Sequence, residues 1–157
     1  MKQKRIAGYV VLMALLLCAC GQKAPDPYTA SDAEALLAKD GLFNSELAPV
    51  DGDIAVLLYG LDGSTVTEAV CYMTANTSVS ADELTVLILK DEESAAAAEE
   101  ACRSRVTAQI AVCESYCPAA VPRLENAVIR RIGNTVLLAV GDPNLLPAAV
   151  DGLRSTN

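Results

Sequence analysis

The sequence predicts an α+β domain: a four-stranded, mainly antiparallel sheet with helices packed on one face, in the order α-α-β-β-α-β-β-α. Short β-rich runs occur in adjacent pairs, so that neighbouring strands can form antiparallel hairpins. Gly133-Asn134 separates the last two runs, and such a dipeptide is a strong signal for a two-residue hairpin turn. Between the two pairs lies a long stretch with small and apolar residues at three- and four-residue steps, the pattern of a helix that packs on a sheet.

Two short helices are predicted before the first strand. Ser31-Asp32-Ala33-Glu34 has the form of a capping box with Ser31 as the N-cap, and Gly41 follows as a stop. Asp51 or Asp53 can cap the second helix, which carries three apolar residues, Ile54, Leu57 and Leu58.

The aspartates of this region also allow a different interpretation, because Asp51, Asp53 and Asp62 could contribute to a cation site. Their spacing lacks the full pattern of a calcium-binding loop. Helix caps and turns are therefore the favoured interpretation, and the sequence predicts no metal site and no cofactor.

The strands are predicted at residues 68–74, 84–89, 126–132 and 135–140. The second of them is apolar on both faces for part of its length, which favours a central position in the sheet. The longest helix begins at Asp91-Glu92-Glu93, where acidic side chains suit a helix N-terminus, and ends near Cys117 because Pro118 follows. A last helix is predicted to begin at Asp142-Pro143, with Pro143 at its first position.

The N-terminal segment has the layout of a secretory signal. Lys2, Lys4 and Arg5 precede an apolar run of 12 residues at 6–17, which is too short for a permanent membrane span of about 20 residues. Leu17-Cys18-Ala19 followed by Cys20 resembles a bacterial lipobox, which implies cleavage between Ala19 and Cys20 and attachment of a diacylglycerol to the Cys20 thiol. The predicted organisation is a signal peptide at 1–19, a lipid-anchored tether at 20–30, one α+β domain at 31–154 and a frayed tail at 155–157.

The charge and composition exclude several classes of function. Three of the 12 basic residues lie in the predicted signal, which leaves nine against 20 acidic residues, a net charge of −11. This charge argues against a nucleic-acid partner. The chain contains no histidine, so neither a histidine general base nor a histidine metal ligand is present.

The four cysteines that follow the predicted signal leave three interpretations open: small core residues, structural disulfides, or a redox or copper site formed by Cys113 and Cys117. An exported domain with four cysteines can carry disulfides, and Cys71 on the sheet could reach one helical cysteine. Cys102 and Cys113 cannot pair along one helix, because 11 residues at about 1.5 Å each separate them by about 16 Å. Cys113 and Cys117 are one turn apart and can pair only if the last turn loosens.

Scattered positions along the chain carry a family resemblance. They are Tyr59-Gly60, the helix with Arg105 and Gln109, Tyr116 before Pro118, Leu124-Glu125-Asn126-Ala127-Val128 and the strand residues Val136-Leu137-Leu138. Together they resemble a group of lipoproteins from Clostridia-type bacteria that carry a domain of unknown function, over roughly residues 30–150. The resemblance implies a Gram-positive host with a single membrane, and it transfers no catalytic residue because that family has no assigned activity.

The function expected from the sequence is that of a membrane-anchored extracytoplasmic lipoprotein without enzymatic activity, a binding or accessory module. Its expected partners are the membrane, through the N-terminal diacylglycerol, and an envelope protein or small ligand. The alternative is a thiol-redox or disulfide-active envelope protein that uses Cys113 and Cys117. A hydrolase is less favoured, because no Gly-x-Ser-x-Gly motif is present.

Overall fold

A computed structural model describes residues 25–154 of the chain. The predicted signal, the cleavage site at Ala19 and Cys20, the first part of the tether and the tail at 155–157 lie outside the described residues. The elements are, in chain order, α1 (Ala30–Leu37), β1 (Leu47–Val50), α2 (Gly52–Leu58), β2 (Val66–Thr74), β3 (Glu83–Leu89), α3 (Glu92–Tyr116), α4 (Val121–Glu125), β4 (Val128–Ile132), β5 (Thr135–Val140) and α5 (Leu146–Gly152). Over residues 25–154, no helix combines the length and the apolar character needed to cross a membrane.

The sheet confirms the α+β class and the antiparallel prediction. Its strand order is β1-β2-β3-β5-β4, and every neighbouring pair is antiparallel. β3 occupies the centre, as its apolar character on both faces predicts. Ile132 pairs with Thr135 across the two-residue turn, and Gly133 has a φ of 54°, which suits a glycine in a hairpin.

The predicted number of strands is wrong, because the described residues form five. The additional strand, β1, pairs with β2 at the edge of the sheet, from Leu47 opposite Thr74 to Val50 opposite Cys71. β1 has only four residues and contains Pro49, which lacks a backbone N–H and is tolerated in edge strands. Such a short run with a proline gives little signal in the sequence.

The prediction that helices pack on one face is also wrong, since helices cover both faces. On one face, Val136 and Leu138 of β5 pack in a cluster with α3 and α4. On the other, Leu137 and Ala139 pack in a cluster with α1 and α5. All six residues of β5 are buried, so the strand needs apolar cover on both sides.

The helix starts differ from the predictions at two of four places, and the long helix α3 begins after its N-cap Asp91 as predicted. Asp51 caps α2 as predicted, and its side chain accepts the N–H of Asp53 at 2.9 Å. The N-cap of α1 is Thr29 instead of Ser31, because the Asp32 carboxylate reaches back to accept the Thr29 N–H at 2.7 Å.

The last helix begins later than predicted. The Asp142 carboxylate accepts the N–H groups of Asn144 and Leu145 at 2.9 and 3.1 Å, which closes a turn before the helix. α5 therefore starts at Leu146, and Pro143 is outside it.

The folded part begins within the segment predicted as a tether. Tyr28 is buried in the cluster beneath α1 and α5, and its N–H donates to Thr135 Oγ1 at 2.9 Å. The Arg154 guanidinium lies 4.5 Å from the centre of the Tyr28 ring and forms an ion pair with Asp32 at 2.8 Å. Both ends of the described chain thus pack together, and the prediction of an extended tether is wrong for residues 28–30.

Candidate functional site

A groove of about 670 Å³ lies beside the C-terminal half of α3, where β2 ends and β3 begins. This volume is within the range of about 300–1,000 Å³ that is typical of small-ligand sites. The groove has apolar walls and a polar loop along one side; the apolar side chains include Leu58, Met73, Ala108, Val112 and Tyr116, and the loop contributes Thr77, Ser78 and Ser80.

Three large apolar side chains of the groove are exposed to solvent. Tyr116 is 81% exposed, Val112 58% and Leu58 45%. Val112 and Tyr116 are one helical turn apart on α3, so they share one side of that helix. A cluster of exposed apolar side chains around a concave surface is typical of a binding site.

The floor of the groove contains a buried ion pair between Glu83 and Arg105. The Glu83 side chain is only 1% exposed and that of Arg105 is 15% exposed. Arg105 Nε donates to Glu83 Oε1 at 2.9 Å, and Nη2 donates to Oε2 at 2.9 Å, a bidentate arrangement. Gln109, one turn further along α3, donates from Nε2 to Oε2 at 3.3 Å, and the Tyr59 hydroxyl donates to Oε1.

Tyr59 is held in its protonated form. Burial raises the pKa of Tyr59 well above its ordinary value, and the negative charge of Glu83 raises it further. The hydroxyl oxygens of Tyr59 and Thr85 are 2.9 Å apart, and Arg105 lies 5.2 Å from the centre of the Tyr59 ring. Tyr59 therefore acts as a hydrogen-bond donor to Glu83 and is unsuited to act as a base.

A second buried ion pair holds the residue before Glu83. Arg123 of α4 donates from Nε to Asp82 Oδ1 at 2.7 Å and from Nη2 to Oδ2 at 3.0 Å. The same Nη2 donates to the backbone oxygen of Leu42 at 3.1 Å. Two consecutive acidic residues at the start of β3 are thus each neutralised by an arginine from a different helix.

Two groups at the floor keep unused hydrogen-bonding capacity. Gln109 Oε1 is buried and has no hydrogen-bond partner. Among the residues that the structure describes, no acceptor bonds to Arg105 Nη1, since the bonds of this side chain come from Nε and Nη2. The floor is therefore neutral in charge, with unused donors on Arg105 Nη1 and an unpaired acceptor, Gln109 Oε1, buried beneath its surface.

The four predicted candidate cysteines are buried and unpaired, so the structure places them as core residues and not in disulfides. Burial raises the pKa of Cys71 to about 11 and that of Cys102 to about 12. Burial, together with the neighbouring Cys117, also raises the pKa of Cys113, which lines the groove. Because the thiolate is the reactive form, none of these three side chains has the environment of a redox-active cysteine.

Two of the three aspartates that also allowed a cation-site interpretation, Asp51 and Asp62, act as local caps. The side chains of Asp51 and Asp62 accept backbone N–H groups of Asp53 and Ser64, each at 2.9 Å. The backbone hydrogen bond from Ser64 lowers the pKa of Asp62. Within residues 25–154, no group of three or more Cys, Asp or Glu side chains is placed to hold a metal ion.

The family described as Domain of unknown function (DUF4358) has a model that matches residues 41–141. The chain belongs to this family. The DUF4358 match contains Glu83 and Arg105 at the floor of the groove and Tyr59, which donates to Glu83, whereas α1 and α5 lie outside it. No curated protein matches the chain, and no solved structure does.

The structure brings together three of the residues on which the resemblance rested. Tyr59, Arg105 and Gln109 all donate to Glu83, and Tyr116 lies at the groove above them. Sequence reasoning missed Glu83, the acceptor that joins them, and the Asp82–Arg123 pair. The only available signal was a pair of acidic residues directly before an apolar strand.

Proposed function

We propose that this DUF4358 protein is a membrane-anchored extracytoplasmic lipoprotein and a non-enzymatic binding module whose ligand occupies the groove. The observation that carries the proposal is an open groove with exposed apolar walls above a buried, charge-neutral floor. Exposed apolar walls are costly in water, and covering them with a ligand removes that cost.

The chemistry of the floor supports binding in preference to catalysis. The Glu83 carboxylate accepts hydrogen bonds from Tyr59, Arg105 and Gln109, so it is already fully engaged as an acceptor. A general base needs a free lone pair within reach of a substrate proton. The thiol-redox alternative at Cys113 and Cys117 needs a stabilised thiolate, and the raised pKa of Cys113 weighs against it.

The anchor is proposed from the N-terminal sequence. A basic start, an apolar run at 6–17 and Cys20 in a lipobox-like setting support export and lipidation. Two acyl chains give stable membrane attachment where one chain binds only weakly. The eight residue steps from Cys20 to Tyr28 span about 25 Å in an extended chain at about 3.1 Å each, so the domain would stay close to the bilayer.

Metabolic labelling with a fatty-acid analogue tests the anchor. The wild-type protein is expected to carry the label, and mass spectrometry should place a diacylglycerol on Cys20 at the N-terminus of the mature chain. Cys20→Ala should abolish the label. Cys18→Ala is the matched control and should keep it, because this cysteine is expected to leave with the signal. Label retained in Cys20→Ala would contradict the proposal.

Binding in the groove can be tested with Nile red, a neutral apolar dye whose fluorescence rises in apolar surroundings. Ala108 lines the groove on α3, so Ala108→Trp should fill part of it and reduce the fluorescence. Ala96 is exposed on the same helix and is not part of the groove, so Ala96→Trp is the matched control. Equal dye binding by the two variants would show that the groove is not the apolar binding site.

A further inference from the structure

We infer that the groove recognises a neutral amide group next to an apolar side chain, as in a short apolar peptide segment. The inference rests on the proposed binding function of the groove and adds the chemical class of the ligand. It is carried by the unused hydrogen-bonding groups of Arg105 and Gln109, by the charge balance of the floor and by the apolar walls.

Arg105 supplies the donors. A guanidinium has five N–H groups, and those on Nε and Nη2 contact Glu83 and the Met73 sulfur. Nη1 makes no hydrogen bond to any described residue, and the side chain borders the groove. These two remaining N–H groups would be satisfied by an oxygen of the ligand, and a carbonyl oxygen has suitable lone pairs.

Gln109 supplies the acceptor. It lies one helical turn from Arg105, and its Oε1 has no partner although it is buried. An unsatisfied buried acceptor is destabilising by about 1–3 kcal/mol. Oε1 exposes almost no surface, although Gln109 is part of the groove lining. A ligand N–H would therefore reach Oε1 only after the side-chain amide of Gln109 rotates toward the groove. A peptide group offers a C=O for Arg105 and an N–H for Gln109.

The charge balance selects against ions. The charges of Glu83 and Arg105 cancel each other, as do those of Asp82 and Arg123. A ligand carboxylate would meet an arginine already engaged by Glu83, and a ligand cation would meet the unused N–H groups of that arginine. A neutral ligand would be repelled neither by the carboxylate of Glu83 nor by the guanidinium of Arg105. Its apolar side chain would cover Val112 and Tyr116.

Three probes with one aromatic body separate the possibilities: N-acetyl-L-phenylalaninamide, which is a neutral amide; N-acetyl-L-phenylalanine, which is an anion at pH 7; and toluene, which has no amide. Each would be titrated into the mature chain from residue 20, carrying Cys20→Ser so that it stays unlipidated, and followed by amide chemical shifts. The neutral amide should bind about tenfold more tightly than either of the others, as expected for one charge-assisted hydrogen bond. The shifts should centre on residues 105–116.

Gln109→Met should reduce the affinity for the neutral amide about three- to tenfold and leave that for toluene unchanged, whereas Thr107→Ala, an exposed position on α3, should change neither. Equal binding of toluene and the neutral amide, or tighter binding of the anion, would overturn the inferred ligand class and leave the groove as an apolar site. If none of the three probes shifted groove resonances, the binding function proposed for the groove would itself be wrong.

Discussion

Removal of the Arg105 guanidinium is expected to destabilise the domain strongly. Arg105→Met leaves Glu83 buried at 1% exposure with hydrogen bonds from Tyr59 and Gln109 but without a positive charge. Breaking a buried ion pair by removing one partner typically costs about 3–5 kcal/mol. The variant also loses the contact between the guanidinium and the Tyr59 ring at 5.2 Å. Since domains of this size are stable by only about 5–15 kcal/mol, this loss would remove from about a fifth to all of the free energy of unfolding.

Urea unfolding of the mature chain measures this loss, and the same helix offers a matched control. Arg103 pairs with Glu99 at 2.6 Å on the solvent side, where its side chain is 55% exposed, so Arg103→Met should cost less than about 1 kcal/mol. The double variant Glu83→Leu/Arg105→Met should recover much of the loss, because no buried charge is left unpaired. Equal losses of unfolding free energy in Arg105→Met and Arg103→Met would refute the predicted cost of leaving Glu83 buried and unpaired.

Three further predictions follow from local geometry. Gly141→Ala should cost about 1–3 kcal/mol in urea unfolding, because an added Cβ would lie 2.5 Å from the Leu42 carbonyl oxygen, whereas Gly152→Ala, with no atom within 4 Å, should be nearly neutral. The thiols of the four buried cysteines between residues 71 and 117 should react with an aromatic disulfide reagent at pH 8 only after unfolding. A thiol that reacts fast in the native protein would instead support the thiol-redox function at Cys113 and Cys117. Hydrogen bonds from Arg131 and from Arg103 on α3 lower the pKa of Glu99 below its ordinary 4.5. The stabilisation that Glu99 gives the folded state is therefore present above that pH and is lost as the pH falls through the lowered value. The difference in unfolding free energy between wild type and Glu99→Gln should therefore shrink between about pH 7 and pH 3.

The central strands and the long helix could be predicted because their patterns extend over many residues. α3 combines acidic residues at its start, small residues on one face and Pro118 after its end. β5 matches its predicted bounds because Gly133-Asn134 and Asp142-Pro143 mark both ends. The second layer of helices follows from the apolar pattern of β5, since a strand that is apolar at nearly every position needs cover on both faces. The prediction of one covered face took too little account of this requirement.

The missed features depend on tertiary contacts. β1 is only four residues long and becomes a strand because β2 offers an edge for pairing. Tyr28 follows two prolines in a segment with no periodicity, and it is ordered by contacts with Thr135 and Arg154, which lie more than 100 residues away. Sequence patterns describe neighbours along the chain, so they carry no signal for such contacts.

The site could be predicted only in fragments for the same reason. Glu83 is 24 residues from Tyr59 and 22 from Arg105, and the three meet because β3 lies under α3 at the centre of the sheet. Acidic residues at the start of a strand normally face solvent, so Asp82 and Glu83 gave no indication of burial. The sequence could identify residues of the family but not the carboxylate that joins them.

Stability alone does not account for the polar floor. Burying a charge pair costs desolvation energy, and apolar residues of similar volume often give an equally stable core. Glu83 and Arg105 nevertheless lie beneath an open groove. The other buried residues on this face of the sheet are mainly apolar. If the ion pair served only the fold, the double variant Glu83→Leu/Arg105→Met would stay folded and still bind N-acetyl-L-phenylalaninamide as tightly as the wild type. A folded double variant that no longer prefers this probe over toluene would show that the ion pair contributes to ligand recognition. The apolar walls would be unchanged in that variant, and only the hydrogen-bonding groups of the floor would be missing.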